Sequence, residues 1–371
     1  MSVFPEEQLD LPIGYFPAQP GQVLKGGGWT VIRKLGWGPR SSTWLAIDNK
    51  DYIGEYGAIK ILTAAATEES TANNERNLLF GAVKNIEEGV PEILSHFYES
   101  KRHLCIVLRV LGSSVEDLRL SNIYDGEYLP LHTVQKVIGD ISARLTSLHF
   151  RDIVHGAVTV DNFLFWCVQA GDDIRKVLAK LPSERAEKVL GSDGVTYPII
   201  KSQPLPHGYT WDATAEDIGY AEIYLSNYAH GKDSARVRDY FLKGDILARH
   251  VGSAHTLYPP KNFLPPEALQ GGRMTVKSDI WTLGCTAYLL MTGSPLFSDS
   301  YVASPVETAT ETLGKLESLL TASEKISEKD ILPTTSFLRS CLAIKPRNRA
   351  KAADVLNGGW IKCGCACGWC G

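Results

Sequence analysis

The chain has 371 residues, 44% of them hydrophobic, and a formal net charge of −4. That balance supports a sizeable core and argues against a general nucleic-acid binder, which carries an excess of basic side chains. No run of about 18 apolar residues occurs, so no membrane span is expected. Glu6, Glu7 and Asp10 leave the N-terminus without a basic or apolar signal region, and an intracellular protein, cytoplasmic or nuclear, is expected.

Residues 1–28 are rich in Pro and Gly, lack periodicity, and are expected as an N-terminal extension along the surface. Residues 29–111 carry β-branched and aromatic runs with one helix near 70–86. After the strand-like stretch from Trp29 to Lys34 comes Leu35-Gly36-Trp37-Gly38-Pro39-Arg40-Ser41. This is a G-x-G-x-x-S turn between two strands, where glycine lets backbone approach a phosphate closely. Gly57-Ala58-Ile59-Lys60 reads as a further strand. Fifteen residues after Lys60, Glu75 lies in a helical start.

Residues 112–362 read as mainly helical. Val134, Val137, Ile138, Ile141 and Leu145 recur at i, i+3, i+4, i+7 and predict a helix from Leu131. It leads into Ile153-Val154-His155-Gly156-Ala157-Val158-Thr159-Val160-Asp161-Asn162. An insert follows at about 167–215, in which 175–190 is amphipathic and predicts a helix. Next stand two candidates for a D-x-G metal motif. Asp217-Ile218-Gly219 matches literally but precedes an alternating strand over 220–226; Asn227-Tyr228-Ala229 follows it directly. Placement after the strand favours the second and leaves the first as a β-turn. Pro265-Pro266-Glu267, then a helix opening at Ser278-Asp279 with either residue as its cap, and Lys345-Pro346-Arg347-Asn348-Arg349 complete the series.

Taken in order, these motifs resemble those of the protein kinases, which implies an α+β, bilobal protein-kinase-like fold: a β-rich N-lobe over 29–111 and a mainly helical C-lobe over 112–362. The entry through Tyr15-Phe16-Pro17, the Trp29–Gly38 stretch, and the hinge-like Leu108-Arg109-Val110-Leu111 resemble the SR-protein kinases, a Ser/Thr branch acting on arginine–serine-rich splicing factors. The resemblance implies nucleotide-binding roles for Gly36, Gly38, Ser41, Ala58, Lys60, Glu75, Val110, Leu111 and Asn162, with Lys60 paired to Glu75 and Leu108 as gatekeeper. It implies metal positions at Asn162 and Asn227, and structural roles for His155, Glu267, Asp279 and Arg349, with Glu267 and Arg349 paired.

The chain departs from that pattern where the chemistry lies. Ala157 stands at the catalytic Asp, Thr159 at the following Lys, Gly156 at the Arg before the Asp, and Asn227 at the metal-binding Asp. Ala can neither orient a hydroxyl nor accept its proton, and a neutral amide is a poor ligand for a hard cation. The expected function is a pseudokinase-like scaffold or regulator, with ATP as ligand and Mg²⁺ weak or absent. The alternative is an active Ser/Thr protein kinase using Asp161 or Asp217. The expected partner is a protein or peptide, with no direct nucleic acid and no membrane.

Of eight cysteines, Cys105, Cys167, Cys285 and Cys341 sit singly among apolar residues and read as buried thiols. Cys363, Cys365, Cys367 and Cys370 crowd a tail over 363–371, which is either a soft-metal or redox site or an unstructured end.

Overall fold

A computed structural model describes residues 14–50, 55–69, 73–83, 89–123, 126–167, 171–184, 187–190, 196–230, 232–233 and 259–362. The Cys-rich tail lies outside them. In chain order the first elements are β1 (Val23–Leu24), β2 (Trp29–Gly38), β3 (Ser41–Asp48), β4 (Tyr56–Leu62), α1 (Ala64–Glu68), α2 (Asn74–Asn77), β5 (Ile93–Glu99) and β6 (His103–Leu108). There follow α3 (Val115–Leu120), α4 (Leu131–Phe150), β7 (Ile153–Val154), β8 (Phe163–Phe165), α5 (Gly171–Lys180), β9 (Glu187–Leu190), β10 (Thr196–Ile199), α6 (Ala215–Gly219) and β11 (Ile223–Leu225). Beyond the short strand Lys232–Asp233 the rest is helical, chiefly α7 (Pro266–Leu269), α8 (Val276–Thr292) and α9 (Glu328–Cys341).

The chain forms two compact units. The first gathers the described parts of Met1–Lys84, Pro91–Ser113 and Trp166–His207. Its centre is a six-stranded antiparallel sheet in the order β1-β2-β3-β4-β6-β5. Side chains alternate across each strand. Ile59 and Ile61 of β4 enter a core with Val31, Trp44 and Val107, while Ala58 and Lys60 project from the opposite face. The N-terminal stretch does more than run along the surface, because Ala18 and Leu24 are buried in the core with Ile59. Apolar burial of this kind contributes roughly 1.5–3 kcal/mol per large side chain.

Most of the insert belongs to this unit, although its flanks in sequence belong to the other. It is fastened to β2. Gln203 N–H donates to the Lys34 carbonyl at 2.8 Å, and Ser183 Oγ to the Ile32 carbonyl at 3.0 Å. Two cations of β2 are buried here. Arg33 donates to the Leu181 carbonyl, and Lys34 Nζ to the Ile200 carbonyl at 3.2 Å. The helix expected over 175–190 is corrected: it spans Gly171–Lys180, and 187–190 pairs with 196–199 as a hairpin. Pro182 has no N–H to continue the helix and disfavours helical backbone in the residue before it. The helix expected near 70–86 is seen as α2 running into a π-helical turn, Leu78–Ala82.

The second unit gathers the described parts of Asn85–Val90, Ser114–Phe165 and Gly208–Gly371. Val134, Val137, Ile138, Ile141 and Leu145 of α4 are each fully buried, as their spacing predicts. Helix α8 is buried almost all round. Its cap is Thr275 rather than Ser278 or Asp279. Thr275 Oγ1 accepts from Lys277 N–H at 3.2 Å, and Ser278 Oγ accepts from Thr275 N–H at 3.0 Å. Asp279 is thereby freed for another task.

Candidate nucleotide and catalytic-loop site

In the first unit, Gly38 and Ser41 form the closing pair of the β2–β3 hairpin, with Gly36 two residues back. Tyr15 Oη donates to the Gly38 carbonyl at 2.8 Å, so the N-terminal stretch steadies the turn. Lys60 on β4 meets Glu75 on α2 at 2.6 Å, and both are buried. Val110 and Leu111 follow β6 directly and are buried. Arg109, between β6 and Val110, donates to the Glu92 carboxylate at 2.6 Å. Of the predicted unit-one residues, Gly36, Gly38, Ser41, Ala58 and Lys60 lie on adjoining strands of one sheet, Val110 and Leu111 on the segment leaving it and Glu75 on α2, while Ala58 and Val110 are buried in one cluster with Ile174 of the insert.

In the second unit, the loop carrying Ala157 is built on Asp279. Its carboxylate is fully buried. Oδ2 accepts from His155 N–H at 2.9 Å and from His149 Nε2 at 2.9 Å, while Oδ1 accepts from Gly156 N–H at 2.8 Å. Gly156 has φ +80°, a left-handed backbone that glycine adopts without steric cost. His155 accepts from Ala157 N–H at its Nδ1, 3.2 Å away, and donates from Nε2 to the Ser226 carbonyl at 3.0 Å. Its ring stands edge-on to Tyr228, with centroids 4.9 Å apart.

Strand β11 pairs antiparallel with β8, Leu225 opposite Phe163. Ser226 N–H then donates to the Asn162 carbonyl at 2.9 Å, which brings Asn227 beside Asn162. Asn227 has φ +66°, a conformation that Asn tolerates far better than most side chains. Its Nδ2 donates to Asn162 Oδ1 at 3.1 Å; Asn162 Nδ2 donates to the Ala157 carbonyl at 2.8 Å and lies 3.3 Å from Thr159 Oγ1. Asp217, the rival metal position, lies in helix α6 before the strand. It is exposed and accepts the Thr214 hydroxyl at 2.7 Å. The β-turn expected at 217–219 is therefore corrected to a capped helical turn: Thr214 Oγ1 accepts from Asp217 N–H at 3.1 Å.

The chemistry of the donor set can now be weighed. In the first unit the β2–β3 glycine hairpin lies beside β4, which carries Lys60, so the residue types that a phosphate requires stand on neighbouring strands. A divalent cation does not fit the second unit as it stands. The two side chains at the metal positions are neutral amides, and one uses its N–H on the other's oxygen. Among the described residues no cluster of His, Cys, Asp or Glu could hold a metal. Cys105, Cys167 and Cys341 are buried thiols pushed up to about 12, 11 and 12, and burial also raises Cys285.

The protein kinase domain family matches residues 238–361. The chain is 27% identical over 307 residues to the serine/threonine-protein kinase SRPK of Physarum polycephalum, covering 76% of this chain and 65% of that protein. It is 31% identical over 180 residues to SRSF protein kinase 3 of Mus musculus, covering 45% of this chain and 30% of that one. A solved kinase domain superposes with a TM-score of 0.57 over 94% of this chain and 98% of its own, at 17% identity. In sequence the chain is similar to protein kinases. This kinase-like chain has the α+β kinase fold, and its sequence relatives include SR-protein kinases. It spans less than two thirds of the length of these two relatives. No helix among the described residues is long and apolar enough to cross a membrane.

Proposed function

We propose that this kinase-like chain is a nucleotide-binding scaffold or regulator, impaired in phosphotransfer, that engages a protein or peptide inside the cell. The observation that carries this reading is Ala157. The position that should present a carboxylate to a substrate hydroxyl holds a methyl group, fully buried. General-base catalysis contributes about 10²–10⁴-fold, and this chain has no group there to supply it. The neutral Asn162–Asn227 pair supports the same reading, since it offers a dication no anionic ligand. A second reading, an active Ser/Thr protein kinase, has the intact Lys60–Glu75 pair in its favour. That pair serves nucleotide binding and packing equally well, so it does not by itself argue for turnover.

The test is a thermal shift with ATP, with and without Mg²⁺. ATP at a hundred times its dissociation constant contributes about 2.7 kcal/mol, and the shift should be the same in both conditions. In Asn227→Asp the new carboxylate would face Asn162 Oδ1 with no proton between them. That variant should be less stable without Mg²⁺ and regain stability when Mg²⁺ is added. A wild-type shift seen only with Mg²⁺ would show an intact metal site and overturn the reading.

A further inference from the structure

Helix α5 belongs to no site legible in the sequence, yet it packs into the cluster that buries two residues expected to meet a nucleotide, Ala58 and Val110. Its apolar residues Ile174, Val177 and Leu178 fall at i, i+3, i+4 and make one stripe. Ile174 is 3% exposed and shares the buried cluster with Leu45, Ala58, Val110 and Leu205. Val177 and Leu178 pack against it. Arg175, Lys176 and Lys180 of the same helix are exposed. The helix therefore has one apolar side, and that side is spent on the surface at Ala58 and Val110.

Both ends of the insert are fastened around this contact. Cys167 Sγ donates to the Val110 carbonyl at 3.9 Å. Leu205 is bridged to Gly112, and Ser113 N–H donates to the Leu205 carbonyl at 2.8 Å. Arg33 donates to the Leu181 carbonyl, one residue past the end of α5, where the unpaired carbonyls of a helix favour a cation. A helix of ten residues is marginal in water by itself. The helicity of α5 therefore depends on its seat.

We propose that α5 is an intrachain competitor of the nucleotide base: while Ile174 is seated, the apolar surface at Ala58 and Val110 is closed, and a base reaches it only when the helix leaves. The apparent affinity for a base is then the intrinsic affinity multiplied by the fraction of chains with the helix undocked. This control rests on the nucleotide-binding reading above and concerns the apolar surface alone, not the phosphate end at Lys60.

Calorimetric titration without Mg²⁺, using adenosine, ATP and tripolyphosphate as probes, compares the wild type with Ile174→Asp, whose carboxylate is solvated only when the helix is undocked. Adenosine and ATP should bind the variant at least about tenfold more tightly, and tripolyphosphate should bind both chains equally. Should Ile174→Asp fail to fold, Leu178→Asp places the charge at a half-buried position of the same stripe and should act in the same sense. Hydrogen exchange reads the unaltered chain: bound adenosine should speed exchange of the amides over 171–180, because a displaced helix of this length melts. Adenosine that binds the variant no more tightly than the wild type would overturn the proposal. So would bound adenosine that leaves the α5 amides as protected as before, or tripolyphosphate that gains as much as adenosine. In each of those cases ATP still binds, so the nucleotide reading survives and the base lies on another surface. If neither wild type nor variants bind ATP, the nucleotide reading falls and the control falls with it.

Discussion

Wild-type protein given ATP, Mg²⁺ and an arginine–serine peptide is expected to transfer no phosphate above background, and the variant Ala157→Asp, Thr159→Lys, Asn227→Asp is expected to gain activity. The loop that would carry the restored groups is already in place. Asp279 holds the backbone of His155 and Gly156, and Asn162 bonds the Ala157 carbonyl. On the proposed reading, what is missing is a proton acceptor and two charges. Base catalysis and electrostatic stabilisation each contribute about 10²–10⁴-fold in typical enzymes. They do not multiply freely when removed together, so a gain of at least about 10²-fold over the wild type is the expected floor. Radiolabel transfer, read beside a Lys60→Met control, decides the matter. Wild-type activity that vanishes in Lys60→Met would mean that other residues supply the chemistry. A silent restored variant would locate the defect elsewhere, in the peptide-binding surface or the nucleotide half.

Glu267→Ala should cost about 3–5 kcal/mol of stability, the range for removing one partner of a buried ion pair. Glu267 takes both terminal nitrogens of Arg349 at 2.7 Å. The Arg349 side chain is fully buried, and its guanidinium also lies 4.9 Å from the Trp281 ring centroid. Three carbonyls, of Ala343, Lys277 and Ile344, would still accept from it. None of them carries a charge. Glu267→Gln keeps an acceptor and removes only the charge, so it should lose markedly less. Chemical denaturation that found the two variants equally stable would show that the hydrogen bonds, not the charge, hold Arg349.

Part of this arrangement was legible in local spacing and part in the order of the motifs. The α4 stripe follows from a helical interval that the backbone geometry fixes, whereas the Lys60–Glu75 and Glu267–Arg349 pairs and the place of Asn227 were legible only through the resemblance to the kinases. The insert was not legible in the same way. Arg33 and Lys34 are two charged residues within a strand, and nothing local says that carbonyls 148 and 166 residues away will cover them. The stripe of α5 was visible, but a stripe does not name its partner, and only the folded chain places it beside Ala58. Two signals could have been read better. Pro182 marks the end of α5, and Thr275 with Ser278 three residues on has the spacing of a helix cap.

Asp279 grips the loop through main-chain N–H groups, which every non-proline residue possesses. Such an anchor is blind to side-chain identity. An aspartate could stand at Ala157 without loosening the loop, whereas Gly156, at φ +80°, sits where glycine carries no steric cost. At Asn227, too, an amide fits a left-handed backbone that a carboxylate could also occupy. The frame of the loop and the side chains it presents are therefore set by different atoms, main chain for the first and residue identity for the second.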